Sequence, residues 1–176
     1  TSSQGEFDDK GFTEMITALE LDNRVVGVLR TINDRLADAV YCEELKVLWG
    51  RDYYMEKIMG LDFKVSAFSF FQTNVEAAEQ LYTEAIDLID DFEDKNVFDL
   101  YCGTGTITQA LALKAKTVTG VELVSEAVEA AKENARLNGL DNCSFIAGDV
   151  FEVLEKLDRK PDVIVVDPPR VGIQPK

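Results

Sequence analysis

The stretch NVFDLYCGTGTITQALALKAKTVTGVELV, residues 96–124, contains the repeating unit that decides the fold. An apolar, β-branched run at Asn96–Tyr101 predicts a strand, and the Gly-rich turn after it leads into a predicted helix at Ile107–Lys114. A second strand is predicted at Thr117–Glu122. A strand, a helix and another strand in this order form a right-handed crossover, so the two strands are expected to lie parallel in one sheet.

The same alternation continues towards the C-terminal end. Ser125 is expected to cap the next helix, and Gly139 is expected to end it. The further predicted elements are a helix at 125–138, a strand at 143–147, a helix at 150–157 and a strand at 161–167. Four strands with helices between them predict an α/β fold with a parallel, doubly wound sheet.

The first 73 residues have a different pattern. Residues 1–10 are polar and acidic and are predicted to be a disordered tail, and residues 11–73 are predicted to be a β-rich region. Its expected elements are strands within 12–31 that turn near Asp22-Asn23, short strands within 37–49, and a hairpin of 51–56 and 61–65 that turns at Met59-Gly60. An amphipathic helix capped by Asn74 then opens the α/β part, residues 74–176.

Composition excludes several classes of protein. The 176 residues carry a net charge of −15, which counts against nucleic-acid binding by this chain alone, although a local basic strip can lie within an acidic average. No apolar run reaches the roughly 18 residues that a membrane span needs. Three widely spaced cysteines and no histidine argue against a metal site and indicate reduced thiols in the cytoplasm.

The turn DLYCGTG, residues 99–105, suits the close approach of a ligand. Gly103 and Gly105 let the backbone come near a bound group at the start of a helix. The dinucleotide fingerprint GxGxxG is not met, because Thr108 stands where it needs a third glycine. A tight strand-to-helix turn with no ligand is the alternative interpretation.

Acidic residues end the next three predicted strands. Glu122 lies 122 − 103 = 19 residues after Gly103, close to the spacing of about 20 expected for a carboxylate that binds ribose hydroxyls. Asp149 is placed to accept from an adenine amino group or to cap the following helix, and both roles can hold at once. Asp167, followed by two prolines, ends the fourth strand on a rigid exit. These strand ends share one edge of the sheet and predict a nucleoside-binding crevice.

Together these motifs resemble the class I S-adenosylmethionine-dependent methyltransferases, which have a Rossmann-like sheet. The segments AFSFFQTN (67–74), DLYCGTGTIT (99–108), GVELVSEAVEAAKENARLNGL (120–140) and DVIVVDPPRVG (162–172) further resemble the RNA uracil-5-methyltransferases, in order and spacing. The sequences SFFQTN and DPPR are closer to those of the members that modify 23S ribosomal RNA than to those of the members that modify tRNA. The resemblance implies S-adenosylmethionine as cofactor and RNA as partner.

The resemblance also implies roles for particular residues. Gln72 matches the glutamine that reaches the methyl donor, and Tyr101 matches the aromatic cofactor-site position before the Cys-Gly turn. Glu122 matches the ribose carboxylate, and Asp167 matches the aspartate near the donor and the target base. Asp149 matches less closely. Arg170 follows the family pattern, which defines no role for it. The alternative interpretation is that Arg170 forms a salt bridge with a neighbouring acidic residue. Phe70 and Phe71 are expected to be core residues rather than base-stacking ones.

In that family a cysteine in a Ser-Cys-Asn-Pro segment attacks carbon 6 of uracil, and the enolate at carbon 5 then takes the methyl group. This segment follows the next strand, so the chain is expected to be an inactive fragment with a truncated sheet, in which no cysteine is catalytic. The alternatives are a methyltransferase for tRNA uridine, cytosine or an amino group, and a non-catalytic module that binds S-adenosylmethionine.

Overall fold

The computed structural model describes residues 5–22, 24–34, 42–168 and 172–173. The chain divides into two compact units, Thr1–Tyr54 and Met55–Lys176. The sequence placed the division later, after residue 73. The difference arises because Ile58, Leu61 and Phe63 of the hairpin belong to the core of the second unit.

The described residues of the first unit form a helix and an antiparallel pair of strands. Helix α1 spans Asp9–Thr17, and strands β1, Gly27–Ile32, and β2, Glu44–Gly50, pair with each other. Both strands lie where the sequence predicted β structure, although residues 37–41 of the second predicted segment lie outside the described residues. Asp22 is in a turn with a φ of 49°, as predicted, whereas Asn23 is not described.

The prediction of strands from residue 12 was wrong, because α1 occupies this part of the chain, and the predicted tail is wrong at its end. Asp8 caps the helix by accepting from the backbone N–H of Gly11 at 2.8 Å. Asp9 in the first turn pairs with Arg30 of β1 at 2.9 Å, and this guanidinium also lies over the ring of Phe7 at 5.0 Å. The Asp8 cap and the ion pair with Arg30 together stabilise a helix, although the loosely alternating sequence pattern predicted strands here.

A β-hairpin follows, and its turn is the one predicted. Strands β3, Tyr53–Ile58, and β4, Leu61–Ser66, pair in a two-stranded sheet. Met59 and Gly60 have φ angles of 51° and 78°. Two consecutive positive φ angles are typical of the type I′ turn, whose twist matches that of the flanking strands.

The second unit contains a four-stranded sheet in the order β7-β6-β5-β8, with every neighbouring pair parallel. The strands are β5, Asn96–Leu100; β6, Thr117–Glu122; β7, Cys143–Ala147; and β8, Val163–Val166. The helices are α2, Val75–Asp87; α3, Thr106–Ala112; α4, Ser125–Leu137; and α5, Val150–Lys156, with a 3₁₀ turn at Phe92–Asp94. The predicted alternation of strands and helices is therefore confirmed.

Two of the three predicted helix ends have the expected geometry. The side chain of Asn74 caps α2 by accepting from the N–H of Ala77 at 3.0 Å. Gly139 follows α4 with a φ of 64°. Ser125 does not cap α4: it is the first helical residue, and Val124 is the N-cap. A carboxylate oxygen of Glu122 accepts from the N–H of Val124 at 2.9 Å instead.

Candidate functional site

A cleft of about 620 Å³ lies at the carboxyl ends of β5, β6 and β8. It is lined by the loop before α2, by α2 itself, by the turn after β5 with the start of α3, by the end of β6 and by the exit of β8. Its lining residues are Phe70, Phe71, Gln72, Tyr82, Tyr101, Cys102, Gly103, Thr104, Thr106, Ile107, Glu122, Leu123, Val124, Asp167 and Pro168. We call it the strand-end cleft. Ligands of open α/β sheets bind at this edge.

The turn after β5 forms the floor of the strand-end cleft. The N–H groups of Tyr101 and Cys102 both donate to the carbonyl of Val121, at 2.9 and 3.1 Å, which holds the turn against β6. Tyr101 has a φ of 67°. A tyrosine in this left-handed region is strained, and such strain is typical of functional turns.

The two glycines of the turn have different roles. Gly103 lines the cleft with a φ of 53°, and a Cβ there would have no neighbour within 4 Å. A Cβ on Gly105 would lie 2.7 Å from the ring of Phe145 and 2.9 Å from Ala131. Gly105 therefore lets α3 pack closely on α4 and β7, and it is not among the residues that line the cleft.

Glu122 lies at the floor of the cleft, half-buried, as the sequence predicted for a strand-end carboxylate. One carboxylate oxygen accepts from the N–H of Gly103 at 3.1 Å, and the other accepts from the N–H of Val124 at 2.9 Å. Each oxygen has a second lone pair, so the carboxylate retains capacity for two further donors.

Asp149 is an N-cap. One of its carboxylate oxygens accepts from the N–H groups of Phe151 and Glu152 at 3.0 and 3.2 Å, at the start of α5. Asp149 is not among the residues that line the strand-end cleft. Of its two predicted roles the structure displays the cap, and the adenine contact stays a prediction.

Gln72 and Asp167 both line the cleft, so the structure brings them together with Tyr101, Gly103 and Glu122. Five of the seven predicted site residues thus share one cavity. Arg170 lies outside the described residues.

Asp99 is a buried carboxyl group that the sequence reasoning missed. It is 0% exposed; one oxygen accepts from the hydroxyl of Thr108 at 2.6 Å, and the other has no hydrogen-bond partner among the residues that the structure describes. Burial, with a smaller contribution from the nearby carboxylates Asp167 and Glu122, raises its pKa to about 7, and the hydrogen bonds with Thr108 limit the rise. An acid within the apolar run VFDL, next to the glycine turn, was the signal available.

Tyr82 is the second missed residue. It is 4% exposed on α2, and its hydroxyl faces the cleft-lining residue Gln72 and the carboxyl groups of Asp167 and Asp99. Desolvation by burial raises the pKa of Tyr82, whereas a hydrogen bond with Gln72 lowers it. A tyrosine on the apolar face of an amphipathic helix is read as core, so the sequence gave no separate signal.

The adjacent Phe70 and Phe71 differ. Phe71 packs on Phe63 with ring centroids 5.7 Å apart, as expected of a core residue. Phe70 is 76% exposed at the cleft, so its prediction as core was wrong. Residues 70–72 lie in neither a helix nor a strand, so no regular periodicity of the sequence indicates which of the two rings is buried.

Cys102 is buried and Cys143 is half-buried, and both thiols are reduced and poorly ionisable. Burial raises the pKa of Cys143 to about 12, and burial together with Asp99 and Glu122 raises that of Cys102 further. A thiol must ionise to act as a nucleophile. The floor of the cleft therefore disfavours a thiolate at Cys102, in line with the expectation that this cysteine is not catalytic.

Within the described ranges, no group of three or more His, Cys, Asp or Glu side chains is arranged to hold a metal ion. Among those same residues, each helix is too short or too polar to cross a lipid bilayer.

Comparison with known proteins identifies the fold. A family model described as a methyltransferase domain matches residues 91–170. A crystal structure of the Pyrococcus abyssi tRNA (uracil-54, C5)-methyltransferase in complex with S-adenosyl-L-homocysteine superposes with a TM-score of 0.69 at 28% identity, covering 85% of this chain and 36% of that one. The chain therefore has the predicted Rossmann-like class I methyltransferase fold.

Curated relatives are more similar in sequence. An uncharacterized RNA methyltransferase of Clostridium tetani is 52% identical over 176 residues, all of this chain and 39% of the relative. One from Clostridium acetobutylicum is 51% identical over 175 residues, 99% of this chain and 38% of the relative. The chain thus spans about two fifths of the length of these relatives.

Proposed function

We propose that the strand-end cleft binds S-adenosylmethionine, and that the protein containing this chain is an RNA methyltransferase that modifies carbon 5 of uridine. The observation that carries the proposal is the convergence of Gln72, Tyr101, Gly103, Glu122 and Asp167 on one cavity.

The cavity suits a nucleoside in size and in hydrogen bonding. A volume of about 620 Å³ lies within the range of roughly 300–1,000 Å³ typical of small-molecule sites. The remaining lone pairs of Glu122 can accept from two vicinal ribose hydroxyls. The open space beside Gly103 leaves room for the ligand to lie against the backbone.

The charge of the cleft favours this cofactor over a dinucleotide. S-adenosylmethionine carries a positive sulfonium and a positive ammonium group, whereas NAD carries a negative pyrophosphate. Glu122 and Asp167 line the cleft, and no Lys or Arg is among its lining residues in the described part of the chain. Acidic groups attract the cationic donor and repel the pyrophosphate.

The bound donor supplies a methyl group on a sulfonium, and the residues of this chain hold and surround it. Glu122 fixes the ribose, and Gln72 and Asp167 line the same cavity. The exposed ring of Phe70 offers a face on which a base can stack, a contact that serves single-stranded nucleic acid.

The finer assignment rests on similarity. The proteins named as relatives are RNA methyltransferases, and the solved neighbour at 28% identity is named a uracil C5 enzyme. We propose 23S ribosomal RNA as the substrate, because the segments SFFQTN and DPPR resemble those of the 23S rRNA enzymes more than those of the tRNA enzymes. tRNA is the competing substrate. The catalytic cysteine and the basic RNA-binding surface would come from parts of the longer protein, in a cytoplasm where these three thiols stay reduced.

Calorimetric titration of S-adenosylhomocysteine into the folded chain tests the cofactor site, with NAD as control. Micromolar binding of the first ligand alone supports the proposal. Binding of NAD, or of neither ligand, contradicts it for this chain.

The substrate is tested with the full-length protein and RNA transcribed with tritium at carbon 5 of uridine. Methylation at carbon 5 releases that tritium as the proton is lost, whereas methylation elsewhere retains it. Separate reactions with 23S rRNA and tRNA transcripts distinguish the two substrates. Methyl incorporation without tritium release would sink the uridine C5 assignment.

A further inference from the structure

The outer edge of strand β4 is occupied by side-chain amides rather than by a strand. Asn138, the C-cap of α4, accepts from the N–H of Asp62 at 2.8 Å and donates to its carbonyl at 2.9 Å. Asn134 accepts from the N–H of Lys64 at 2.9 Å and donates more weakly to its carbonyl at 3.5 Å. We call these two side chains the amide pair.

The amide pair imitates a neighbouring strand. A side-chain amide offers the same donor and acceptor as a peptide group. Residues four apart on a helix rise about 6 Å, and residues two apart on a strand rise about 6.6 Å, so Asn134 and Asn138 match Lys64 and Asp62 in spacing. The backbone groups of alternate residues on a strand face the same edge. The hydrogen bonds at Asp62 and at Lys64 therefore lie on the same edge of β4, the one that β3 leaves free.

The amide pair is itself held in place. The side-chain nitrogen of Asn138 also donates to Gln109 of α3 at 2.9 Å and to the carbonyl of Asn134 at 3.1 Å. Asn134 is 2% exposed and Gln109 is 0% exposed. Lys64 adds an ion pair with Glu133 at 2.9 Å. Helices α3 and α4 thus fix the register of β4.

The residue between the two bonded positions connects the amide pair to the strand-end cleft. Phe63 lies between Asp62 and Lys64, is 0% exposed, and packs against the ring of Phe71. Phe71 lines the cleft beside Gln72. The hydroxyl of Thr104 donates to the carbonyl of Phe70 at 3.4 Å and ties the same segment to the glycine turn.

We infer that Asn134 and Asn138 are positioning residues for the cofactor site. They hold β4, and through the contact of Phe63 with Phe71 they fix the wall of the strand-end cleft formed by residues 70–72. Their effect on cofactor affinity rests on the proposed function, whereas their effect on the order of this wall does not. The segment ENARLNG, residues 133–139, therefore holds the cleft wall in place in addition to packing α4 on the sheet.

The variants Asn134→Ala and Asn138→Ala test this inference, with Asn142→Ala as the matched control. Asn142 also donates its side-chain amide to two backbone carbonyls, those of Ala112 at 2.8 Å and Ala115 at 3.0 Å, but these lie at the end of α3. Its loss removes hydrogen bonds of the same kind without touching the hairpin. A comparison at equal loss of stability therefore separates positioning from general destabilisation.

Two readouts are needed, hydrogen exchange of the backbone amides at 67–72 without ligand, and the affinity for S-adenosylhomocysteine of the folded fraction. We expect faster exchange and roughly 3- to 10-fold weaker binding in both amide-pair variants, and neither change in Asn142→Ala. Unchanged exchange in folded variants overturns the inference. If the unmodified chain fails to bind S-adenosylhomocysteine, the proposed function fails, and exchange alone still tests the amide pair.

A milder substitution covers the case in which the amide variants do not fold. Phe63→Leu keeps an apolar side chain in the core but removes the ring contact with Phe71. We expect this variant to fold and to show the same faster exchange at residues 67–72 with weaker binding. A folded Phe63→Leu with the exchange and affinity of the unmodified chain would equally overturn the inference.

Discussion

The carboxylate of Glu122 accepts a hydrogen bond from the backbone N–H of Gly103 at 3.1 Å. This bond joins the end of β6 to the turn that follows β5, across 19 residues of sequence. A residue predicted to bind a ligand thus also holds the loop against which the ligand is proposed to lie. Cofactor affinity and the shape of the turn are therefore coupled through one side chain.

Glu122→Ala should weaken the binding of S-adenosylhomocysteine by about 1.5–3 kcal/mol, which is roughly 10- to 150-fold, because a charged hydrogen-bond acceptor is lost. Calorimetric titration measures the change. Glu126→Ala is the matched control, since Glu126 is an exposed glutamate in the first turn of α4. Equal affinities of the two variants would mean that Glu122 does not contact the ligand.

Gly103→Ala and Gly139→Ala should lose similar stability but differ in binding. Their φ angles are 53° and 64°, and a Cβ at either site meets no atom within 4 Å. Each alanine in this left-handed region costs about 1–2 kcal/mol. Only Gly103 lines the strand-end cleft, so only its added methyl group should obstruct the ligand, by at least about fivefold in Kd. Urea unfolding measures the stability of the two variants, and calorimetric titration measures their affinity for S-adenosylhomocysteine. Equal affinities of the two variants would contradict the placement of Gly103 at the ligand.

The sequence predicted the parts of the site that follow from periodicity. Alternating strands and helices determine which ends share an edge, so Glu122, Asp167 and the glycine turn were found without coordinates. Asn74 and the Met59-Gly60 turn were found because caps and type I′ turns depend on local residue types. The order β7-β6-β5-β8 agrees with that reasoning.

The sequence could not predict features set by contacts between distant residues. Helix α1 depends on the pairing of Asp9 with Arg30, 21 residues away. Asp99 and Tyr82 occupy apolar patterns, and only the fold brings them beside the cleft. The exposure of Phe70 depends on which of two adjacent rings meets Phe63.

Native alkylation should leave Cys102 and Cys143 unmodified. Burial raises the pKa of both thiols, to about 12 for Cys143, so almost no thiolate is present near neutral pH. Cys42 and Cys143 are both partly exposed, so exposure does not separate them, and the raised pKa is what should protect Cys143. Iodoacetamide followed by mass spectrometry should therefore label only Cys42 in the folded chain, and all three cysteines after unfolding in urea. Rapid labelling of Cys102 in the folded chain would reopen the question of whether it can act as a nucleophile.

Asp99 should make the folded chain less stable as the pH rises. Its folded pKa is raised from 3.8 to about 7, so the native state holds a proton that the unfolded state has released. The stabilisation is complete below about pH 4 and is lost as the pH rises through about 7. Asp99→Asn keeps an acceptor for the hydroxyl of Thr108 and cannot ionise. Relative to the unmodified chain, this variant should gain roughly 2–3 kcal/mol between about pH 5 and about pH 8.

Urea unfolding of Asp99→Asn and of the unmodified chain at the two pH values measures this gain. Because the two proteins share all other carboxyl groups, the titration of those groups cancels in the comparison. Asp141→Asn is the control, because Asp141 is exposed in the turn before β7. A constant difference between Asp99→Asn and the unmodified chain would show that Asp99 ionises normally, and that its buried oxygen has a partner in solution. A gain confined to the higher pH would show that the carboxyl group beneath the strand-end cleft holds its proton to near neutrality.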